Sequence, residues 1–155
     1  MRLLLDTSIL VCFYKKEFGW QLALDKIAMA SEVLLSAISI AEFGRLCMSD
    51  GKSIEVAYDA LESVMKLITA VIPVDKTTSI TILEITSRAT SRVPLVDSVI
   101  AATAIQHGAV LLHRDAHFRS IPQSMLHQEE LPAPNSIQAP SSTKAPDSIQ
   151  AKEGT

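Results

Sequence analysis

The residues of this chain best suited to chemistry are carboxylates set in apolar stretches. Asp6 closes the run LLLD, Glu42 lies within SAISIAEFGRL, Asp97 within VPLVDSVIAATA, and Asp115 within LLHRDAHF. Three of them have an ordinary explanation as well. Aspartate is a favoured helix N-cap, which suits Asp6. Asp97 would complement a helix dipole, and Asp115 fits a turn. Glu42 resists such a reading. Its neighbours Ile38, Ile40, Ala41, Phe43 and Leu46 predict apolar surroundings, where an unpaired carboxylate is costly. Four carboxylates brought together repel one another unless a cation neutralises them. Hard oxygen donors suit Mg²⁺ or Mn²⁺, ions that keep several waters and bind substrate phosphates. The chemistry this predicts is phosphodiester hydrolysis by a metal-activated water, with no protein nucleophile.

The elements that must position these groups alternate along the chain. Short apolar runs over Arg2–Leu5, Val33–Ser36, Ala70–Val74 and Ala109–Leu112 read as strands, the third interrupted by Pro73. Helical stretches fill the gaps: Ser8–Lys16, Gln21–Ala30, Ile38–Met48, Ser53–Leu67, Thr77–Thr90 and Pro94–His107, with Gly108 as the stop. Asp75 is the expected N-cap of the fifth. Strands separated by helices imply an α/β fold of three layers, a short parallel sheet of about four to five strands with helices on both faces. Ligands collect at the carboxyl ends of such strands. Asp6, Asp97 and Asp115 would share that edge, and Glu42 would join from the helix after the second strand.

Composition narrows the classes. The chain has 155 residues, 48% hydrophobic and 20% charged, and a net charge of −3. That is the size and make-up of one folded domain, not of a disordered or collagen-like chain. The longest apolar stretch, Val93–Leu112, is broken by Asp97, Gln106 and His107, so no membrane span is expected. Asp6 inside the first apolar run argues against a secretory leader, and the expected location is the cytoplasm. Cys12 and Cys47 should be reduced and buried. The five glycines stand apart, which excludes a phosphate loop or dinucleotide fingerprint. GxSxG, CxxC and HExxH are also absent.

Residues 1–131 form the expected domain. From 132 to 155 the sequence turns to Pro, Ser and Ala, with APNSIQAP returning as APDSIQAK, and reads as a disordered tail. The tail's charges cancel, so the whole −3 belongs to the domain. Without the four candidate ligands the formal charge is +1, a slightly basic shell around a local acidic site. His113 and His117 flank Asp115. On a helix they would share a face and suggest zinc, but the segment reads as strand then turn, with no evident third ligand, and the pair is expected on the surface or facing phosphate. Phe18, Trp20 and Leu22 are open to two readings, a partner-binding patch or core.

In sum of its motifs, the chain resembles a PIN domain, specifically a VapC-type toxin ribonuclease of a type II toxin–antitoxin system. LLLDTSIL at 3–10 looks like the family's opening strand. LSAISIAEFGRL at 35–46 resembles its Ser-to-Glu segment. PLVDSVIAATAIQHGAVLLHRDAHFRSI at 94–121 is similar to its longest signature. The resemblance implies that Asp6, Glu42, Asp97 and Asp115 form a catalytic site for Mg²⁺ or Mn²⁺, with Thr7 or Ser8 in support. It implies endonucleolytic cleavage of RNA leaving a 5′-phosphate and a 3′-hydroxyl, homodimerisation, and inhibition by a small cognate antitoxin. Arg45, Arg114 and Arg119 are then the expected RNA contacts. Where the family often has Thr or Ser two residues before the last Asp, this chain has His113, whose imidazole would take over that supporting role. The same departure is the hint for an alternative, a catalytically inactive PIN-like module that binds RNA or antitoxin. A phosphoacceptor domain using Asp6 and Asp75 lacks the adjacent acidic pair it would need. Truncation after Leu131 should leave the melting temperature nearly unchanged, and a large drop in a thermal scan would mean that the tail packs on the domain.

Overall fold

Uninterrupted apolar runs of three or four residues suit strands covered on both faces, and three such runs form the centre of the sheet. The structure, a computed structural model, describes residues 1–132, so the tail expected over 132–155 lies outside the described residues except for Pro132. The strands are β1 (Arg2–Leu5), β2 (Glu32–Ser36), β3 (Ala70–Ile72), β4 (Val110–His113) and β5 (Gln128–Glu130). The helices are α1 (Thr7–Lys15), α2 (Trp20–Met29), α3 (Ala37–Cys47), α4 (Ile54–Met65), α5 (Lys76–Arg88) and α6 (Leu95–Gln106). The sheet order is β3-β2-β1-β4-β5, and every pairing is parallel.

Strand alternation divides the core in two. Leu3, Leu5, Val33, Leu35 and Leu112 face one layer, where they pack with Ile9, Phe43 and Val64 from α1, α3 and α4. Leu4, Leu34 and Leu111 face the other, against Ile85 of α5 and the Ile100–Ala104 stretch of α6. This is the expected three-layer α/β/α arrangement. Every residue of α6 from Ser98 to Ala104 is buried. Its alanines leave no bulk between helix and sheet, so the helix that carries Asp97 lies close against the strands. A buried hydrogen bond pins it further, between Thr103 Oγ1 and Ser36 Oγ at the end of β2 (3.1 Å).

The strand ends differ from the sequence reading for local reasons. β3 stops at Ile72 because Pro73 has no N–H to donate. β5 forms in QSMLHQEEL, where the pattern is weak. It is a charged edge strand held by its ends: Leu111 N–H donates to His127 O (2.9 Å) and Leu131 N–H to His113 O (2.8 Å), while Leu126 and Leu131 are buried on either side. Asp75 caps α5 in a reciprocal capping box with Thr78. Cys12 and Cys47 are free and buried. Phe18 and Leu22 are exposed, and Trp20 lies half-buried under the Lys16 ammonium. Among the described residues no helix is long and apolar enough to cross a membrane.

Thr103→Val keeps the side-chain shape but leaves the Ser36 hydroxyl unpaired in the core. It should cost about 1–3 kcal/mol, read as a lowered urea midpoint with an unchanged slope.

Candidate metal centre

The sheet grows in two directions from β1. The chain adds β2 and β3 on one side, then crosses over to place β4 and β5 on the other. The carboxyl ends of β1 and β4 therefore flank the crevice where open parallel sheets bind ligands. Asp6 leaves β1 there, its N–H donating to Leu112 O of β4 (3.0 Å). Asp6 also caps α1, accepting from Ser8 N–H (3.0 Å) and from the Ser8 hydroxyl. Ser8 Oγ in turn accepts the Arg114 N–H (3.0 Å). One hydroxyl thus joins Asp6 to the segment that carries Asp115. Asp115 caps the short 3₁₀ turn Ala116–Ser120 by accepting from His117 N–H (2.8 Å). Asp97 sits in the first turn of α6.

Asp6, Glu42, Asp97 and Asp115, together with Thr7 and Ser8, line one open cavity of about 260 Å³. The capping roles of Asp6 and Asp115 and their place in the cavity coexist. Glu42 differs from the sequence expectation. It is half-buried at the rim, beside an exposed Ala41 and an exposed Leu46, and is not enclosed by apolar side chains.

The acids strain against one another. Burial pushes the Asp6 carboxyl from 3.8 up to about 6, with repulsion from Glu42 adding to it and the Ser8 hydrogen bonds opposing it. Asp97 is also raised to about 6, by burial and then by Asp115 and Asp6, with His117 pulling the other way. Four carboxylates around one cavity, two of them raised mainly by burial and further by their neighbours' charge, fit a divalent cation. Thr7 adds a second sign. Its residue is 4% exposed, it lines the same cavity, and its Oγ1 has no hydrogen-bond partner among the described residues.

His117, expected on the surface or facing phosphate, is exposed and stands against two of the acids. Its Nδ1 lies 3.2 Å from Asp97 Oδ2 and 2.8 Å from Asp115 Oδ1. The two histidines do not form a pair. His113 is buried in a tilted stack on Phe118, with centroids 4.9 Å apart, and burial lowers its pKa. It is not among the residues lining the cavity. Of the three expected RNA arginines, two are engaged in ion pairs. Arg114 pairs with Glu17 (2.7 Å) and is largely buried. Arg119 forms a two-pronged pair with Glu130 (2.6 Å each). Arg45 is exposed and stands with Glu42 at the rim of a neighbouring hollow.

A family model described as PIN domain matches residues 3–123. The chain belongs to the PIN domain family. Solved structures agree with the PIN fold. The chain is similar to VapBC2 from Rickettsia felis bound to a promoter DNA fragment, at 22% identity and a TM-score of 0.69, over 84% of this chain and 98% of that one. It is similar to FitAcB from Neisseria gonorrhoeae at 26% identity, TM-score 0.61, over 83% and 96%. It is similar to VapC20 of Mycobacterium tuberculosis at 18% identity, TM-score 0.56, over 70% and 86%. No curated protein matches the chain at a significant level.

The raised Asp6 has a signed consequence for this PIN domain. Between pH 4 and 6 the folded state holds a proton that the unfolded state has released, so metal-free stability falls as pH rises through that window. Asp6→Asn removes the charge and keeps an oxygen to cap α1. Without metal, it should be more stable than wild type at pH 7 by on the order of 3 kcal/mol. The advantage should vanish near pH 4 in denaturation curves run in EDTA.

Proposed function

We propose that this PIN domain is a Mg²⁺- or Mn²⁺-dependent endoribonuclease, acting as the toxin of a toxin–antitoxin pair in the cytoplasm. The observation that carries the proposal is the convergence of four carboxylates on one open cavity at the carboxyl edge of the sheet. The comparisons support its direction. VapC20 is a Sarcin–Ricin loop cleaving toxin, VapBC2 is bound to a DNA fragment from its promoter, and VapBC-5 from Mycobacterium tuberculosis is a member of the VapBC family of toxin–antitoxin systems. On this reading the substrate is RNA, the partner is a small cognate antitoxin, and the working unit is a homodimer.

Asp6, Glu42, Asp97 and Asp115 would hold the cation. When bound, it supplies Lewis acidity at a phosphoryl oxygen and offsets the charge that builds there during hydrolysis. The chain's own residues do the rest. Ser8 and the start of α1 orient Asp6, and the His117 amide orients Asp115. Thr7 Oγ1 is a buried hydroxyl free to hydrogen-bond a group in the cavity. Arg45, exposed beside Glu42, is the expected contact for an RNA phosphate. Arg114 serves the scaffold through Glu17.

The test is cleavage of a tRNA and rRNA panel by purified, partner-free protein with Mg²⁺, Mn²⁺ or EDTA. Discrete cuts should require the metal. Asp97→Asn should lower the rate by at least about a hundredfold, the scale of losing one electrostatic stabiliser, with the circular dichroism spectrum unchanged. Cleavage that persists in EDTA, or undiminished in Asp97→Asn and Asp6→Ala alike, would sink the proposal.

A further inference from the structure

We propose that His117 supplies a nitrogen donor to the cation held by Asp97 and Asp115, and so makes the site prefer Mn²⁺ to Mg²⁺. This rests on the reading of the acidic cavity as a metal site, and it adds to that site a ligand and an ion preference.

The geometry is that of a ligand set. His117 Nδ1 stands 3.2 Å from Asp97 Oδ2 and 2.8 Å from Asp115 Oδ1, and one donor atom from each of the three residues lies within 4.8 Å of the others. Neighbouring ligands on an octahedral ion with bonds near 2.1 Å are about 3.0 Å apart. Both imidazole distances fall close to that edge length. The ring is carried by a fixed backbone. Asp115 accepts the His117 N–H, the His117 carbonyl accepts from Ser120 Oγ (2.7 Å), and the next residue, Phe118, is fully buried. The ring itself is half-exposed, so core packing does not dictate where it points. The ionic contacts it makes among the described residues are with these two carboxylates.

The chemistry sets the preference. Mg²⁺ is hard, demands oxygen and gives up water reluctantly. An imidazole nitrogen gains more with a first-row transition ion, of which Mn²⁺ is the weakest binder in the series. A site of carboxylates alone would take either ion. A site with one imidazole among the carboxylates should favour Mn²⁺.

The competing role for His117 is purely positional, a hydrogen-bonding clamp that keeps Asp97 and Asp115 together. Three proteins separate the two roles: wild type, His117→Asn and Asp97→Asn, each checked for folding by thermal melt. The Asn Oδ1 can occupy the place of Nδ1, which exchanges nitrogen for oxygen. Mn²⁺ and Mg²⁺ affinities are measured by calorimetry, and Mn²⁺-loaded protein by pulsed electron paramagnetic resonance. Wild type should bind Mn²⁺ more tightly than Mg²⁺ and show modulation from a directly bound nitrogen. His117→Asn should lose that modulation and about tenfold in Mn²⁺ affinity, with Mg²⁺ affinity little changed. Absence of nitrogen modulation in wild type, an unchanged ratio of affinities in His117→Asn, or an equal fall for both ions would overturn the proposal. Asp97→Asn should lose both ions. If it binds them as wild type does, the acidic cavity is not the metal site, and this inference falls with that reading.

Discussion

The Ser8 hydroxyl donates to Asp6 and accepts the Arg114 amide, and so ties the carboxyl end of β1 to that of β4. The neighbouring strands already lie in register, Leu5 opposite Leu112, but register fixes backbones only. The hydroxyl carries that order one step outward, to the carboxylate after β1 and the turn after β4. Around it the fold supplies rigidity from three sides. α1 begins on Asp6 itself, α6 is buried along most of its length, and the Arg114–Glu17 pair clamps the exit of β4 to the segment between α1 and α2.

This order is obtained against electrostatics. Carboxylates that share a partly desolvated cavity raise one another's proton affinity, and Asp6 and Asp97 both show it. Residues at such a site act against stability and are tolerated because the remainder of the core compensates. Two layers of buried Leu, Ile, Val and Ala on either side of the sheet form that remainder. The same acids are also structural. Asp6 and Asp115 each close a turn by accepting a backbone N–H, so removing their oxygens disturbs local backbone as well as charge, whereas an amide replacement disturbs charge alone.

Much of this was legible in the sequence. Buried strands announce themselves as unbroken apolar runs; Asp6 follows one directly, and Asp115 follows another after His113 and Arg114. The alternation of strand and helix then dictates a parallel sheet, and a parallel sheet dictates which edge the acids share. What could not be read depends on contacts between distant residues. β5 is polar and exists through its pairing with β4 and the burial of Leu126 and Leu131. The environment of Glu42 depends on which side of α3 stays uncovered. His113 and His117 differ in fate because one ends a buried strand and the other stands in an exposed turn facing α6. The engagement of Arg114 by Glu17 joins residues far apart in the chain, a distance no local pattern reports.

The four acids are unequally free to move. Asp6 and Asp115 are held by backbone amides, and Asp97 is anchored in a buried helix. Glu42 has the longest side chain of the four and sits at the open rim, and among the described residues no hydrogen bond reaches its carboxylate. The cavity is thus a stiff three-sided frame with one compliant wall. Differences in size or shape of what enters it are absorbed on the α3 side, while the side formed by β1, β4 and α6 keeps its dimensions.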